Sequence, residues 1–190
     1  MKLNKKIKRS GILFVISSPS GAGKTTLARK LIEIDPNIEL SISVTTRSPR
    51  KLEKNKRDYI FVDEKSFGKM IKEDKFLEHA EVFGNKYGTL KQPIIEKLEK
   101  GKDILFDIDW QGTQELKEKE SKHLVSVFVL PPSTIELEKR LLNRAQDSKE
   151  VVKKRMSEAS SEMTHWAEYD YVIINDDLEQ TLQKLIAILT

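Results

Sequence analysis

The sequence predicts an α/β protein built as a doubly wound parallel sheet, and three observations carry that expectation. Short, continuously apolar runs rich in β-branched residues recur along the chain, helical patterns separate them, and a glycine-rich turn follows the first run. Continuous apolarity marks a strand buried on both faces, and strands alternating with helices imply a parallel sheet covered on both sides.

The first run, Gly11–Ser17, leads through a Gly/Ser/Pro turn into Lys24–Glu33, and Leu27, Leu31 and Ile34 recur at helical spacing. Asp35-Pro36-Asn37 stops that helix. Ile104–Ile108, Leu124–Leu130 and Tyr171–Ile174 are the other strands expected in the sheet. Ser133-x-x-Glu136 reads as a capping box opening a helix with Leu137, Leu141 and Leu142. Asp177-x-x-Gln180 opens a last helix carrying Leu182, Leu185, Ile186 and Leu189. From Ile38 to about Gln92 the rhythm breaks. That stretch holds strand candidates at Ser41–Thr45 and Tyr59–Val62, a short helix at Ser66–Lys72 and a Gly84-Asn85 turn among aromatics, so a small inserted lobe is expected. Arg144–Lys149 is a second, shorter polar interruption. The expected division is one domain with a core of residues 11–37, 93–139 and 156–190, a lobe at about 38–92, a lid at about 140–155 and a basic tail at 1–10.

Composition narrows the function classes. The 190 residues suit one domain, since domains run ~50–250 residues. With 34 basic and 30 acidic residues the net charge is only +4, too balanced to argue for a nucleic-acid partner. The sequence has no cysteine, which removes disulfide frameworks, thiolate metal sites and cysteine nucleophiles and fits a reducing compartment. No apolar run approaches the ~20 residues of a membrane span. Met1–Arg9 followed by Ile12–Ile16 imitates an export signal, but its apolar part is five residues long where a signal core needs ~7–15. The expectation is a cytoplasmic monomer or homodimer acting on small molecules, with no nucleic-acid or membrane partner. The charge run Lys117–Lys122 reads as a solvated helix end.

The sharpest local signal is Ser17-Ser18-Pro19-Ser20-Gly21-Ala22-Gly23-Lys24-Thr25-Thr26, set between a strand and a helix. Glycines at 21 and 23 let the backbone curl so that successive N–H groups converge on an anion, and the helix adds its positive end. In such a loop the lysine reaches the β- and γ-phosphates and the first hydroxyl ligates Mg²⁺, here Lys24 and Thr25. Ser18 stands where the pattern has its first glycine. The chain is therefore expected to bind a nucleoside triphosphate. A phosphate loop alone does not choose among ATPases, GTPases and kinases, and the late strand, where guanine-binding GTPases carry an Asn-Lys-x-Asp element, here ends Ile174-Asn175-Asp176-Asp177.

The inserted stretch points to a second phosphate. Thr45-Thr46-Arg47-Ser48-Pro49-Arg50 sets two arginines three apart around a proline, and paired guanidinium forks suit a phosphate dianion. Tyr59 and Tyr87 offer phenols nearby.

With these motifs the chain resembles the guanylate kinase family, which phosphorylates GMP from ATP. The match runs through Ser17–Thr25, Ser43–Arg50, Asp58-Tyr59, Phe76–Ala80, Gly84–Thr89, Leu105–Gly112, Leu130–Ser133, Arg140, Arg144, Arg155 and Ile174–Asp177, in order from about Gly11 to the C-terminus. The resemblance implies a P-loop NTPase fold with a GMP-binding lobe and a short helical lid. It implies that Ser18, Pro19, Ser20, Gly21, Ala22, Gly23, Lys24, Thr25 and Thr26 hold the ATP phosphates, with Asn175 beside the adenine. Arg47, Arg50, Tyr59 and Tyr87 would hold the GMP phosphate, and Ser43, Glu78, Thr89 and Asp109 the guanine. Asp107 would belong to the GMP site as well and would orient Mg²⁺ through water, opposite Thr25. Asp107 and Asp109 are expected to end a buried strand, Asp103–Asp109. Lys24, Arg140, Arg144 and Arg155 would neutralise charge on the transferring group. Two alternatives stay open: a non-catalytic protein-binding module of the same fold, and a P-loop kinase for another phosphate monoester. The chain departs from the family at Leu52, Lys56, Asn143 and Ala145, where glycines are usual. His79, His123 and His165 show no metal spacing and read as structural.

Overall fold

The computed structural model describes residues 9–82, 84–143 and 149–189. Its central element is β1 (Leu13–Ser17), all five residues of which are buried. Alternate side chains of a strand point to opposite faces, and β1 uses both. Phe14 and Ile16 pack with Leu27 and Leu31 of α1 (Lys24–Ile34) and with Leu182 and Leu185 of α7 (Leu178–Leu189). Leu13 and Val15 pack with Ile94 of α3 (Lys91–Glu99) and Leu116 of α4 (Trp110–Glu120). The sheet runs β2-β7-β1-β8-β9, with β2 at Ile38–Leu40, β7 at Asp103–Asp107, β8 at Leu124–Leu130 and β9 at Tyr171–Ile174. Every pairing in it is parallel. This is the doubly wound sheet expected from the apolar runs.

A second sheet, β4-β3-β6-β5, forms the lobe from Ile60–Phe61, Ser43–Thr45, Asn85–Leu90 and Phe76–Val82 in that order. Its own small core joins Val44 and Phe76 to Phe67 of α2 (Glu64–Lys72).

Three boundaries differ from the sequence reading. Ile38–Leu40, counted there with the lobe, is the edge strand of the main sheet, in register with Asp103–Leu105. Strand β7 stops at Asp107 rather than Asp109. Asp109 instead caps α4, its Oδ1 accepting from Gly112 N at 3.1 Å, and a capping residue cannot continue a ladder. The β5–β6 hairpin was visible only as a turn. Its strands carry Glu78, His79, Glu81 and Lys86, so they lack the apolar alternation that marks a half-buried strand. Both proposed caps form: Ser133 Oγ accepts from Glu136 N at 3.1 Å and Asp177 Oδ1 from Gln180 N at 2.8 Å. Helix α5 (Thr134–Asn143) and α6 (Lys149–Met163) pack through Leu137, Leu141, Val152 and Ala159. The middle of the expected lid, with Arg144 and Ala145, lies outside the described residues. No helix among the described residues is long and apolar enough to cross a membrane.

At Gly11, where the chain enters β1, a Cβ would lie 1.8 Å from the Lys102 carbonyl oxygen, a backbone atom with nowhere to go. Gly11→Ala should therefore destabilise the protein by at least ~1–3 kcal/mol, the cost of overpacking. A thermal melt checks this, and an unchanged midpoint would mean that the entry to β1 tolerates a shift.

Candidate active site

The site begins where β1 hands over to α1. Gly21 and Gly23 have φ of 95° and 103°, in the left-handed region that glycine enters without strain. Space demands glycine here as well. A Cβ on Gly23 would meet Asn175 Nδ2 at 2.6 Å, and one on Gly21 would meet Leu137 Cδ1 of α5 at 2.9 Å. Asn175 is 4% exposed and its Nδ2 donates to the Ala22 carbonyl at 2.7 Å. The sequence reading put Asn175 beside the adenine. Here its amide is spent under the loop, and it is not on the cavity wall. Arg140 lies behind it, with Nη2 donating to Asn175 O at 3.3 Å and Nε to Glu136 at 3.1 Å.

Lys24 opens α1 and turns back toward the end of β7. Its Nζ lies 2.9 Å from Asp107 Oδ1 and donates to Ile108 O at 3.2 Å. Burial alone would lower the Lys24 pKa, but the carboxylates of Asp107, Glu162 and Asp109 outweigh it and hold the pKa above the ordinary lysine value. Thr25 Oγ1 donates to the other oxygen of Asp107 at 3.3 Å. A hydroxyl and a carboxylate side by side are a fitting partial set for Mg²⁺, which takes one or two protein ligands and completes its shell with water and phosphate oxygens. No group of three or more acidic or histidine side chains able to hold a metal occurs among the described residues.

The lobe forms the facing wall. Arg50, Tyr59, Tyr87 and Ser43 line it, and the Tyr59 and Tyr87 rings meet edge-on at 6.1 Å. Burial pushes the Tyr59 phenol up, so it stays a donor. Arg47 sits behind this wall. Its Nη2 donates to both Glu53 oxygens at 2.8 and 3.0 Å, and its guanidinium lies 5.2 Å over the Tyr59 ring. Glu53 Oε2 also accepts from Arg50 N at 2.8 Å, so one carboxylate braces both arginines. Lys56, where the resemblance leads one to expect a glycine, adopts φ of 63°. The turn keeps its left-handed backbone even though a side chain makes that costly.

Glu78 is the most unusual group in the cavity. The register of β5 against β6 shifts between Phe76 and Glu78, and such a bulge re-aims side chains. Phe76 then enters the lobe core and Leu77 the main core. Glu78 is 2% exposed and its Oε1 accepts from the buried Thr89 hydroxyl at 2.6 Å. Gly112 on α4 makes room for it, since a Cβ there would lie 2.7 Å from Glu78 Oε2. Burial raises the Glu78 pKa to about 7 against the pull of Thr89, and the Glu115 and Asp109 charges add to the rise.

These walls enclose an open cavity of about 360 Å³. It is lined by Ser18, Pro19, Ser20, Gly21, Gly23, Lys24, Thr25 and Thr26 on one side, and by Ser43, Arg50, Tyr59, Glu78, Tyr87, Asp107 and Asp109 on the other. Of the expected site residues, Ala22, Arg47, Thr89, Asn175, Arg140 and Arg155 are off its wall, and Arg144 lies outside the described residues. Residues that the sequence reading missed include Glu53, Gly112 and Glu162. Glu162 lines the cavity and its Oε2 accepts from Ser20 N at 3.1 Å. No local pattern marks it, because its partner is a backbone amide 142 residues away. The histidines lie elsewhere. His165 stacks on Trp110 at 3.7 Å and bonds Glu168 at 2.8 Å, and His123 is exposed.

Comparison with known proteins places this arrangement. A family model described as guanylate kinase matches residues 10–190. A guanylate kinase of Bradyrhizobium diazoefficiens is 56% identical over 183 residues, 96% of this chain and 84% of that protein. One from Paramagnetospirillum magneticum is 55% identical over 96% of this chain and 86% of that protein. Among solved structures, guanylate kinase from Anaplasma phagocytophilum has a TM-score of 0.79 at 40% identity, covering 96% of this chain and 86% of its own. The SH3-kinase fragment of tight junction protein 3, at 15% identity and a TM-score of 0.50, is alike in fold alone.

Because the folded-state pKa of Glu78 lies above the ordinary 4.5, its contribution to stability is full below that value and is lost as pH rises through about 7. The loss is on the order of 3 kcal/mol. Glu78→Gln should melt close to wild type near pH 5 and above it near pH 8. A wild-type-to-variant difference that stays flat with pH would show that the carboxyl is solvated.

Proposed function

This chain belongs to the guanylate kinase family and phosphorylates GMP with ATP, and we propose that a single cavity holds the two nucleotides phosphate to phosphate. The observation that carries this reading is that the phosphate loop and the Arg50–Tyr59–Tyr87 cluster face each other across Asp107 in the same cavity. Phosphoryl transfer asks little covalent chemistry of a protein. It needs acceptor and donor in line and the developing charge neutralised.

In this reading the loop amides and Lys24 take the β- and γ-phosphates. Lys24 exchanges its ion pair with Asp107 for the phosphate oxygens. Thr25, with Asp107 acting through water, would hold Mg²⁺, which when bound neutralises charge on the phosphate oxygens. Arg50, Tyr59 and Tyr87 take the GMP phosphate, with Arg47 held ready behind them by Glu53. The arginines at 140, 144 and 155 supply charge from the lid side and exclude water, the competing acceptor. Glu78, steadied by Thr89, receives guanine beside Ser43 and Asp109. Guanine presents N1–H and N2–H₂ as adjacent donors, and a carboxylate is a pure acceptor. With a free-protein pKa of about 7, Glu78 gives up its proton as guanine arrives. A cytoplasmic location, where both nucleotides are at hand, completes the reading.

A coupled assay with each nucleoside monophosphate tests the reading, with GMP expected as the preferred acceptor. Activity on another monophosphate alone would overturn it. Losing a charged hydrogen-bond partner costs ~1.5–3 kcal/mol, so Arg50→Ala should raise the KM for GMP roughly ten- to hundredfold and leave that for ATP nearly unchanged. A shift in the ATP term instead would mean the two phosphate sites are reversed. Glu78→Gln supplies an N–H₂ that suits adenine N1, so it should narrow the GMP/AMP ratio of kcat/KM. Gly112→Ala should narrow it too by displacing the carboxylate, although replacing a helical glycine by alanine ordinarily favours the helix by ~1 kcal/mol. An unchanged ratio in both variants would take Glu78 out of the guanine site.

A further inference from the structure

The Glu162 carboxylate occupies a phosphate-loop amide from within the protein. It projects from α6 into the ATP side of the cavity, and its Oε2 accepts from Ser20 N at 3.1 Å. A backbone N–H has one hydrogen, and a loop amide directed at an anion accepts a carboxylate oxygen as readily as a phosphate oxygen. The carboxylate is also electrostatically uncomfortable there. Burial raises its pKa, and although Ser20 N–H and Lys24 oppose the rise, the charges of Asp109 and Glu158 add to it. A triphosphate in the loop would bring further negative charge to the same few ångströms.

We propose that Glu162 is an internal rival of the nucleotide, taking the Ser20 amide when the loop is empty, yielding it to ATP and reclaiming it as ADP leaves. The proposal rests on the reading that the loop holds the ATP phosphates. It gives the enzyme a means of releasing a product that shares nearly all of its phosphate contacts with the substrate. The same exchange is felt along α6. Arg155 lies seven residues before Glu162, two turns of helix and so close to the same face. Val152 and Ala159 fix that helix against Leu137 and Leu141 of α5, and the same two leucines border Gly21 of the loop. Letting go of Ser20 therefore loosens one tie between the phosphate loop and the helix that carries Arg155.

The test is direct binding in the absence of GMP, with Mg²⁺ present and with ADP and inorganic tripolyphosphate as probes. Tripolyphosphate isolates the phosphate contacts from those to the base. Glu162→Ala should bind both probes about tenfold more tightly, the size expected when one charged competitor for a hydrogen bond is removed. Most of the gain should appear as slower dissociation, and the KM for GMP should stay within about twofold, since the hydrogen bond lost is to Ser20 N of the phosphate loop and not to the Arg50–Tyr59–Tyr87 cluster. Glu162→Gln keeps a neutral acceptor for Ser20 N–H, so it should shift affinity in the same direction by less. It also serves as the second measurement if the alanine variant fails to fold. If Glu162 only braces the structure, both variants would melt lower and bind the probes equally well or more weakly, and that result overturns the proposal. If tripolyphosphate binds neither wild type nor variants, the phosphate-loop reading falls and this inference falls with it. Equal binding to all three proteins removes Glu162 alone.

Discussion

The arrangement of this site depends on one buried hydrogen bond, from the Asn175 amide to the Ala22 carbonyl at 2.7 Å. A phosphate loop works only if its amides point inward. That turns its carbonyls outward, toward protein, where each needs a donor. Asn175 supplies the donor for Ala22, and the left-handed Gly23 leaves room for it. The residue can reach because β9 lies two strands from β1 and ends at the same edge of the sheet. Asp107, at the end of the neighbouring strand on the other side, meets Lys24 in the same way. Parallel strand order therefore brings together residues spread over most of the chain, at the carboxyl edge where ligands of such sheets collect.

The second constraint is charge. Asp58, Glu78, Asp107, Asp109 and Glu162 all line the cavity proposed to hold two anions, with Lys24 and Arg50 the cations on its wall among the described residues. Five acids around a phosphate site would be self-defeating if each stayed free. Asp58 is paired with Arg57, Asp107 with Lys24 and Thr25, Asp109 caps α4, Glu162 sits on Ser20 N–H, and Glu78 is held by Thr89. Each acid thus has a partner within the protein. Burial nonetheless leaves the carboxyls of Glu78 and Glu162 raised, with neighbouring acids adding to the rise.

What could be read from the sequence follows the range of the interactions. The buried strands and the phosphate loop were legible because local backbone demands wrote them: continuous apolarity for β1, β7, β8 and β9, and glycine at two left-handed positions. The arginine pair at 47 and 50 was legible as a motif, but not that Glu53 holds Arg47 off the cavity wall. Asn175 was legible as a site residue, but not that its amide donates under the loop to Ala22, because a strand-end amide does not say which way it faces. Glu162 left no local trace. Its meaning lies in a contact with a backbone atom, to which side-chain identity at the other end gives no clue. Glu78 came from family likeness alone, since the bulge that buries it interrupts the alternation that reveals a strand.

Glu78 also shows why the lobe is built as a separate small sheet. A carboxyl pushed to a pKa of about 7 by burial destabilises the protein near neutrality by whatever fraction is ionised. In the proposed reading that strain is relieved when guanine arrives, which requires walls that stay in place while the site is empty. The lobe provides them with very little material: the stacked rings of Phe67 and Phe76 at 4.6 Å, the Ser43–Thr89 register of β3 on β6, and Gly112 reaching in from α4 of the core. Thr89 holds the carboxyl, the charges of Glu115 and Asp109 act on it, and Gly112 leaves it room. A flexible loop would let water relax the carboxyl, returning it to an ordinary pKa, and the penalty against adenine that the proposed reading assigns to Glu78 would go with it.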